Sequence, residues 1–235
     1  MENEIIAKIR SDLEENADPE NALSAQKFFK EPVKYLGVPT PVVEKISSKY
    51  FKEISHLTKD EIFELCEELL KSDLGEEAWI AFDWADKINK QFMPSDIEIF
   101  EHWIENYVNS WAKCDTLCNH AVGTFMEMYP QYVQELKKWA HSKNRWFRRA
   151  AAVSLILPAR KGKYLRDIFQ IADILLEDQD DLVQKGYGWV LKAASQSDIQ
   201  RVFDYVSKNK SKMPRTALRY AIEKMPDNLK DQAMS

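Results

Sequence analysis

The chain has 235 residues, 45% hydrophobic and 30% charged, so it can bury a large core and is not a disordered chain. Only six Gly and nine Pro argue against an all-β chain with many tight turns, and against a Gly-rich phosphate loop. The net charge of −5 hides a division along the sequence: residues 1–101 carry 12 Lys+Arg against 23 Asp+Glu, and residues 102–235 carry 21 against 15.

The N-terminus, MENEIIAK, is acidic, unlike the basic start of a secretory signal. Three cysteines, Cys66, Cys114 and Cys118, do not pair into a disulfide framework, and the expectation is a reduced, cytoplasmic protein. Helices follow one another from there. Thr58 to Glu61 and Ser95 to Glu98 both have the capping-box pattern that opens a helix. Behind them run the apolar stripes Ile62, Leu65, Cys66, Leu69, Leu70 and Ile97, Phe100, Trp103, Ile104, Tyr107. Breaks fall at Pro39/Pro41, Pro94, Pro130 and Pro214. No run alternates with period two, so the fold class is all-α. The longest nearly apolar stretch, 150–159, is interrupted by Ser154 and Pro158 and is too short to cross a bilayer.

A weak repeat runs through these helices. Asp115, Arg149, Lys185 and Arg219 lie 34, 36 and 34 residues apart, each in an apolar helix, and EEAWIAFDWADKI falls one period earlier. Paired helices at this period mark an α-solenoid, in which equivalent positions line up on one face. That face is concave if these residues lie on the inner helices; a nonrepetitive bundle is the alternative. The stretch 143–166 holds Lys143, Arg145, Arg148, Arg149, Arg160, Lys161, Lys163 and Arg166 with no carboxylate. A second basic cluster is Lys208, Lys210, Lys212, Arg215 and Arg219. Such clusters suit a polyanion and equally suit a solvated surface.

Cys114 and Cys118 sit four apart near His120, but no second pair follows at zinc-finger spacing, so no metal site is expected and core packing is the reading. Trp111 and Asp115, at i and i+4, share a helix face. A carboxylate in this apolar stretch needs a partner or a function; spacing alone favours a basic neighbour. Trp189 alone reads as core.

Four segments in order change that balance: YLGVPTP at 35–41 after Phe28-Phe29, SWAKCD at 110–115, NRWFRRAA at 144–151, and QKGYGWVLK at 184–192 followed by PRTALRYAIEKM at 214–225. Together they resemble the AlkD-like family of HEAT-repeat DNA alkylation-repair glycosylases, over about residues 22–225. The resemblance implies one domain over residues 1–235, an α-solenoid of HEAT-like helical pairs whose concave face binds duplex DNA. It implies excision of N3- and N7-alkylated purines with no metal or organic cofactor. It places the catalytic carboxylate at Asp115, aromatic walls beside the lesion's sugar at Trp111 and Trp189, and an active-site arginine near the DNA backbone at Arg149. Phe28 falls where a family aromatic, often Tyr, approaches the duplex. Arg148, Lys185, Arg215 and Arg219 are added as phosphate contacts from charge and repeat register. The expected state is a monomer in the cytoplasm, associated with the nucleoid. The competing reading is a non-catalytic HEAT-like module that binds nucleic acid or serves as a protein scaffold.

Overall fold

A computed structural model describes residues 2–235, with side chains from residue 4 onward. The chain is all-α; among the described residues the only strand-like feature is one parallel bridge between Lys34 and Leu74. No described helix is long and apolar enough to cross a membrane. The chain divides into two compact units, Met1–Ala121 and Val122–Ser235.

The first unit holds α1 (Glu2–Glu15), α2 (Pro19–Gln26), α3 (Thr40–Ile54), α4 (Lys59–Leu70), α5 (Gly75–Lys87), α6 (Asp96–Asn106) and α7 (Trp111–Leu117). Helices α3, α5 and α7 pack in succession, and α1 and α4 lie against them as a second row. Helix α6 joins that row through aromatic edges: Trp103 meets Phe63 with ring centroids 5.5 Å apart and Phe82 at 6.2 Å. The apolar stripe of α4 is buried throughout. Thr58 opens this helix with a complete capping box: its hydroxyl accepts from the Glu61 N–H, and the Glu61 carboxylate accepts from the Thr58 N–H at 2.7 Å.

The second box is not formed. Ser95 has helical backbone angles and no side-chain cap. The buried Asp96, first residue of the helix, accepts from the Met93 N–H ahead of it at 2.8 Å and pairs with Lys59 at 2.6 Å. That ion pair reaches back to α4, and sequence spacing could not have shown it.

The second unit holds α8 (Gly123–Met128), α9 (Val133–Trp139), α10 (Arg145–Val153), α11 (Ile156–Arg160), α12 (Leu165–Ile174), α13 (Asp181–Ala194), α14 (Ile199–Asn209), α15 (Arg215–Ile222) and α16 (Asp227–Met234). One row runs α10, α13, α15; the other contains α9, α12, α14 and α16. Along the sequence, helices α3, α5, α7, α10, α13 and α15 begin at 40, 75, 111, 145, 181 and 215, steps of 35, 36, 34, 36 and 34 residues. This is the solenoid period expected from the sequence, and it extends one repeat further toward the N-terminus.

The tryptophans separate into two groups. Trp84, Trp103, Trp139 and Trp146 are core anchors, and truncating a side chain of this kind costs about 3–5 kcal/mol. Trp79, Trp111 and Trp189 remain part-exposed. The three cysteines are buried and unbridged, and burial pushes the Cys66 thiol far up, so it is inert.

Candidate functional site

The segment SWAKCD reads residue by residue as a helix start. Ser110 is the N-cap, its buried hydroxyl accepting from the Lys113 N–H at 3.3 Å. Lys113 turns inward and is held by Asp73, Nζ to carboxylate 2.6 Å and to the backbone carbonyl 3.2 Å. Burial works to raise the Asp73 carboxyl, but Lys113, Asn109 and Lys34 outweigh it and hold the group below the usual range. Cys114 and Leu117 enter the core. Trp111 and Asp115 remain on one half-buried face, a turn apart. A π-helical turn, Cys118–Val122, follows α7; such turns recur beside functional residues.

A cleft of about 230 Å³ opens between α3, α5 and α7, walled by Tyr35, Trp79 and Phe82 and flanked on α7 by Ala112, Lys113 and Thr116. Neither Trp111 nor Asp115 lines it. Its floor carries Glu76, buried, whose Oε1 accepts from the N–H groups of Gly37 (2.8 Å) and Val38 (3.2 Å). Glu76 thereby explains the segment YLGVPTP. Gly37 has φ +82°, and a Cβ there would lie 2.0 Å from the Asp18 carbonyl oxygen, so only glycine fits this turn against α2.

Phe28 and Phe29, adjacent in sequence, part company in space. Phe28 is 74% exposed. Phe29 is the packed ring, stacked on Trp111 with centroids 5.1 Å apart and planes at 16°. Phe28 contributes its carbonyl, which accepts from the Trp111 indole N–H at 3.3 Å. Phe29, Tyr35, Glu76 and Lys113 were not picked out as site residues from the sequence. The aromatic pair was visible there, but nothing in it says which ring turns inward.

In the second unit Asn144 caps α10, accepting from the Trp146 N–H at 2.9 Å. Arg149 is buried, and its guanidinium donates to the Leu182 carbonyl on α13. Its stem lies against Gly186, where an added Cβ would stand 3.3 Å from the Arg149 Cγ. Arg148 is heavily engaged: it pairs with Asp178 at 2.7 Å and donates to the carbonyls of Ser142 and Lys143, both at 3.0 Å. Lys185 pairs with Asp181 one turn back at 3.2 Å. Trp189 is half-buried on α13. Arg215 and Arg219, one turn apart on α15, are exposed and form no ion pair among the described residues.

No three His, Cys, Asp or Glu side chains gather as metal ligands among the described residues. The family model described as DNA alkylation repair enzyme matches residues 9–225. Among solved structures, an Enterococcus faecalis protein described as a predicted DNA alkylation repair enzyme superposes with a TM-score of 0.81 at 17% identity, covering 90% of this chain and 98% of its own. At that identity the likeness is one of fold. No curated protein matches significantly.

Proposed function

Because the chain belongs to the family of DNA alkylation repair enzymes, we propose that residues 1–235 act as one domain, a monofunctional DNA glycosylase. Its substrate is a cationic N3- or N7-alkylated purine in duplex DNA, and its product an abasic site for base excision repair. The observation that carries this reading is the half-buried face of α7, where Trp111 and Asp115 stand a turn apart while Ser110, Lys113, Cys114 and Leu117 serve the helix and the core.

The chemistry suits these groups. A purine alkylated at N3 or N7 already carries positive charge, so it leaves with the bonding electron pair as a neutral base, with no general acid. The sugar left behind is oxocarbenium-like. Asp115 stabilises that charge, orients the water that attacks C1′ and takes up its proton. The Trp111 face favours the same cationic centre through its quadrupole. Trp189 and Arg149, in the second unit, are assigned by their motifs to a second aromatic wall and to the DNA backbone. Phe28, Arg148, Lys185, Arg215 and Arg219 are proposed duplex contacts, with Arg215 and Arg219 best suited because both are exposed, and Arg148 the least, since Asp178 and two carbonyls already hold its guanidinium. None of these steps calls for a metal or organic cofactor.

The test is release of free base from a duplex containing 7-methylguanine. Asp115→Asn is near-isosteric and removes the charge. It is expected to keep DNA affinity and slow single-turnover release by roughly 10²-fold or more. Equal release by wild type and variant sinks the assignment, and DNA binding without release by either protein leaves a non-catalytic binding module.

A further inference from the structure

Trp111 does not project from α7 as a lone indole. Phe29 covers one ring face at 5.1 Å, and Phe29 in turn stacks on Tyr35 with centroids 5.8 Å apart and planes at 30°. The Phe28 carbonyl takes the indole N–H at 3.3 Å. Two adjacent residues therefore grip Trp111 by face and by edge. The stack sets the plane of the indole, and the hydrogen bond sets its rotation within that plane.

The ladder is anchored at its far end. The Tyr35 ring lies so close to the backbone of α5 that a Cβ on Gly75 would fall 2.1 Å from it. The next residue, Glu76, holds the turn that follows Tyr35 through the Gly37 and Val38 N–H groups. Burial and the nearby Glu76 charge push the Tyr35 hydroxyl up to about 12, so the ring stays neutral. The chain of contacts thus runs from the first turn of α5 through Tyr35 and Phe29 to Trp111. Among the described residues no second ring stacks on Trp111, so its other face is not committed to an aromatic partner.

We propose that Phe29 is a positioning residue for Trp111: the Tyr35–Phe29 stack, seated on Gly75, fixes the indole so that its other face is presented to the lesion's sugar. This rests on the glycosylase reading for what Trp111 faces, and on the geometry alone for what holds it. Phe29 itself touches neither substrate nor reacting atoms. Loss of the stack frees the indole about two side-chain torsions, and misplacement of a group beside a reacting centre by about 1 Å can cost up to about 10²-fold in rate.

The experiment uses the full chain with Phe29→Leu, which keeps apolar bulk but removes the stacked ring, and Phe29→Tyr, which keeps the ring. Two readouts are followed. One is the near-ultraviolet circular dichroism due to Trp111, isolated by subtracting the spectrum of Trp111→Phe. The other is single-turnover release of 7-methylguanine, measured beside DNA affinity. Phe29→Leu is expected to lose most of the Trp111 signal and slow release about tenfold with affinity held within about twofold. Phe29→Tyr restores both. In a Trp111→Phe background, Phe29→Leu slows release no further, because the two residues act as one unit. An unchanged Trp111 signal in Phe29→Leu overturns the proposal, as does equal slowing in the Trp111→Phe background, which marks a merely structural residue. If the wild type releases no base, the glycosylase reading fails, and the Trp111 signal of the Phe29 variants still decides the positioning.

Discussion

Two glycines of one helical motif face different neighbours, and the same substitution is expected to cost clear stability at only one of them. Gly186 and Gly188 both lie inside α13, where replacing Gly by Ala favours the helix by about 1 kcal/mol. Packing decides the net sign. At Gly188 an added Cβ meets the Tyr220 Cβ at 2.7 Å, the Ala217 carbonyl oxygen at 2.8 Å and the Ala217 Cα at 3.2 Å, all on α15. These atoms belong to or adjoin the backbone and cannot rotate away. To reach ordinary contact at 3.4 Å, α13 and α15 must part by about 0.7 Å, and overpacking of this kind costs about 1–3 kcal/mol, or more where the backbone must move. At Gly186 the nearest atoms are the Arg149 Cγ at 3.3 Å and the Val153 Cγ1 at 3.5 Å, side-chain atoms that can yield. Gly188→Ala is therefore expected to lower stability by about 1–2 kcal/mol, a fall in Tm of about 2–8 °C for a chain of this size. Gly186→Ala is expected to stay within about 1 kcal/mol of wild type, in either direction. Thermal melts followed by far-ultraviolet circular dichroism, on both variants under identical conditions, make the comparison. A Gly188→Ala protein that melts at or above the wild type refutes the reasoning, since helix propensity would then have outweighed the clash with α15.

The other expectations concern charge and substrate. Asp73 has φ +64°, which Asn also tolerates, so Asp73→Asn removes charge and little else. Its folded carboxyl is held below the unfolded value, so its stabilisation is present above about pH 4 and is lost as pH falls through the depressed folded pKa. The Tm deficit of Asp73→Asn should accordingly be largest near neutrality and close in acid; a deficit independent of pH contradicts the ion-pair account. For DNA binding, Arg215→Ala with Arg219→Ala should flatten the log–log salt dependence of affinity by up to about 0.9 for each phosphate no longer neutralised, whereas Arg148→Ala should chiefly lower Tm, because Asp178 and two carbonyls hold that guanidinium. Salt-independent affinity in the wild type would leave the basic clusters as solvated surface. A bulky cationic N7 adduct should be released at a rate comparable with 7-methylguanine, while uracil is untouched, because on the proposed mechanism selectivity comes from the lability of the cationic lesion and not from enclosing the base. A collapse of rate with adduct size, at unchanged affinity, would show an enclosing pocket.

The helical repeat was legible because it is written in a signal that survives averaging. Apolar residues recur every three or four positions, and the helix pairs recur at 34–36 residues, so errors at single positions do not matter. Local caps were less secure. Thr58 and Ser95 carry the same pattern, yet only Thr58 caps: the Ser95 backbone is already helical, and its neighbour Asp96 is paired with Lys59 from 37 residues away. The basic clusters carry the same lesson. Arg148 and Arg219 look alike as charges in a row, and only three-dimensional neighbours separate an arginine that ties a loop to a helix from one that faces water. Charge counts report the field around a chain and not which groups remain available to make it.

The candidate site divides along the same line between what a residue is and where its backbone sends it. Trp111 and Asp115 could be paired from spacing, since i and i+4 meet on any helix. Phe28 and Phe29 could not be told apart, because no periodicity covers the irregular segment between α2 and α3. That segment is ordered by contacts distant in sequence: Glu76 on the Gly37 and Val38 N–H groups, Gly75 beneath Tyr35, and Trp111 against Phe29. Each of these partners serves a requirement that its own helix does not impose. A glycine opens α5 although glycine is among the poorest helix formers, and a carboxylate is buried beside it although burial of charge is costly. Local preference is broken at both residues, side by side, where the loop that carries Tyr35 is fastened. Violations of that kind cluster where a structure gives up stability to hold something in place, and here the thing held is the aromatic ladder that ends on Trp111.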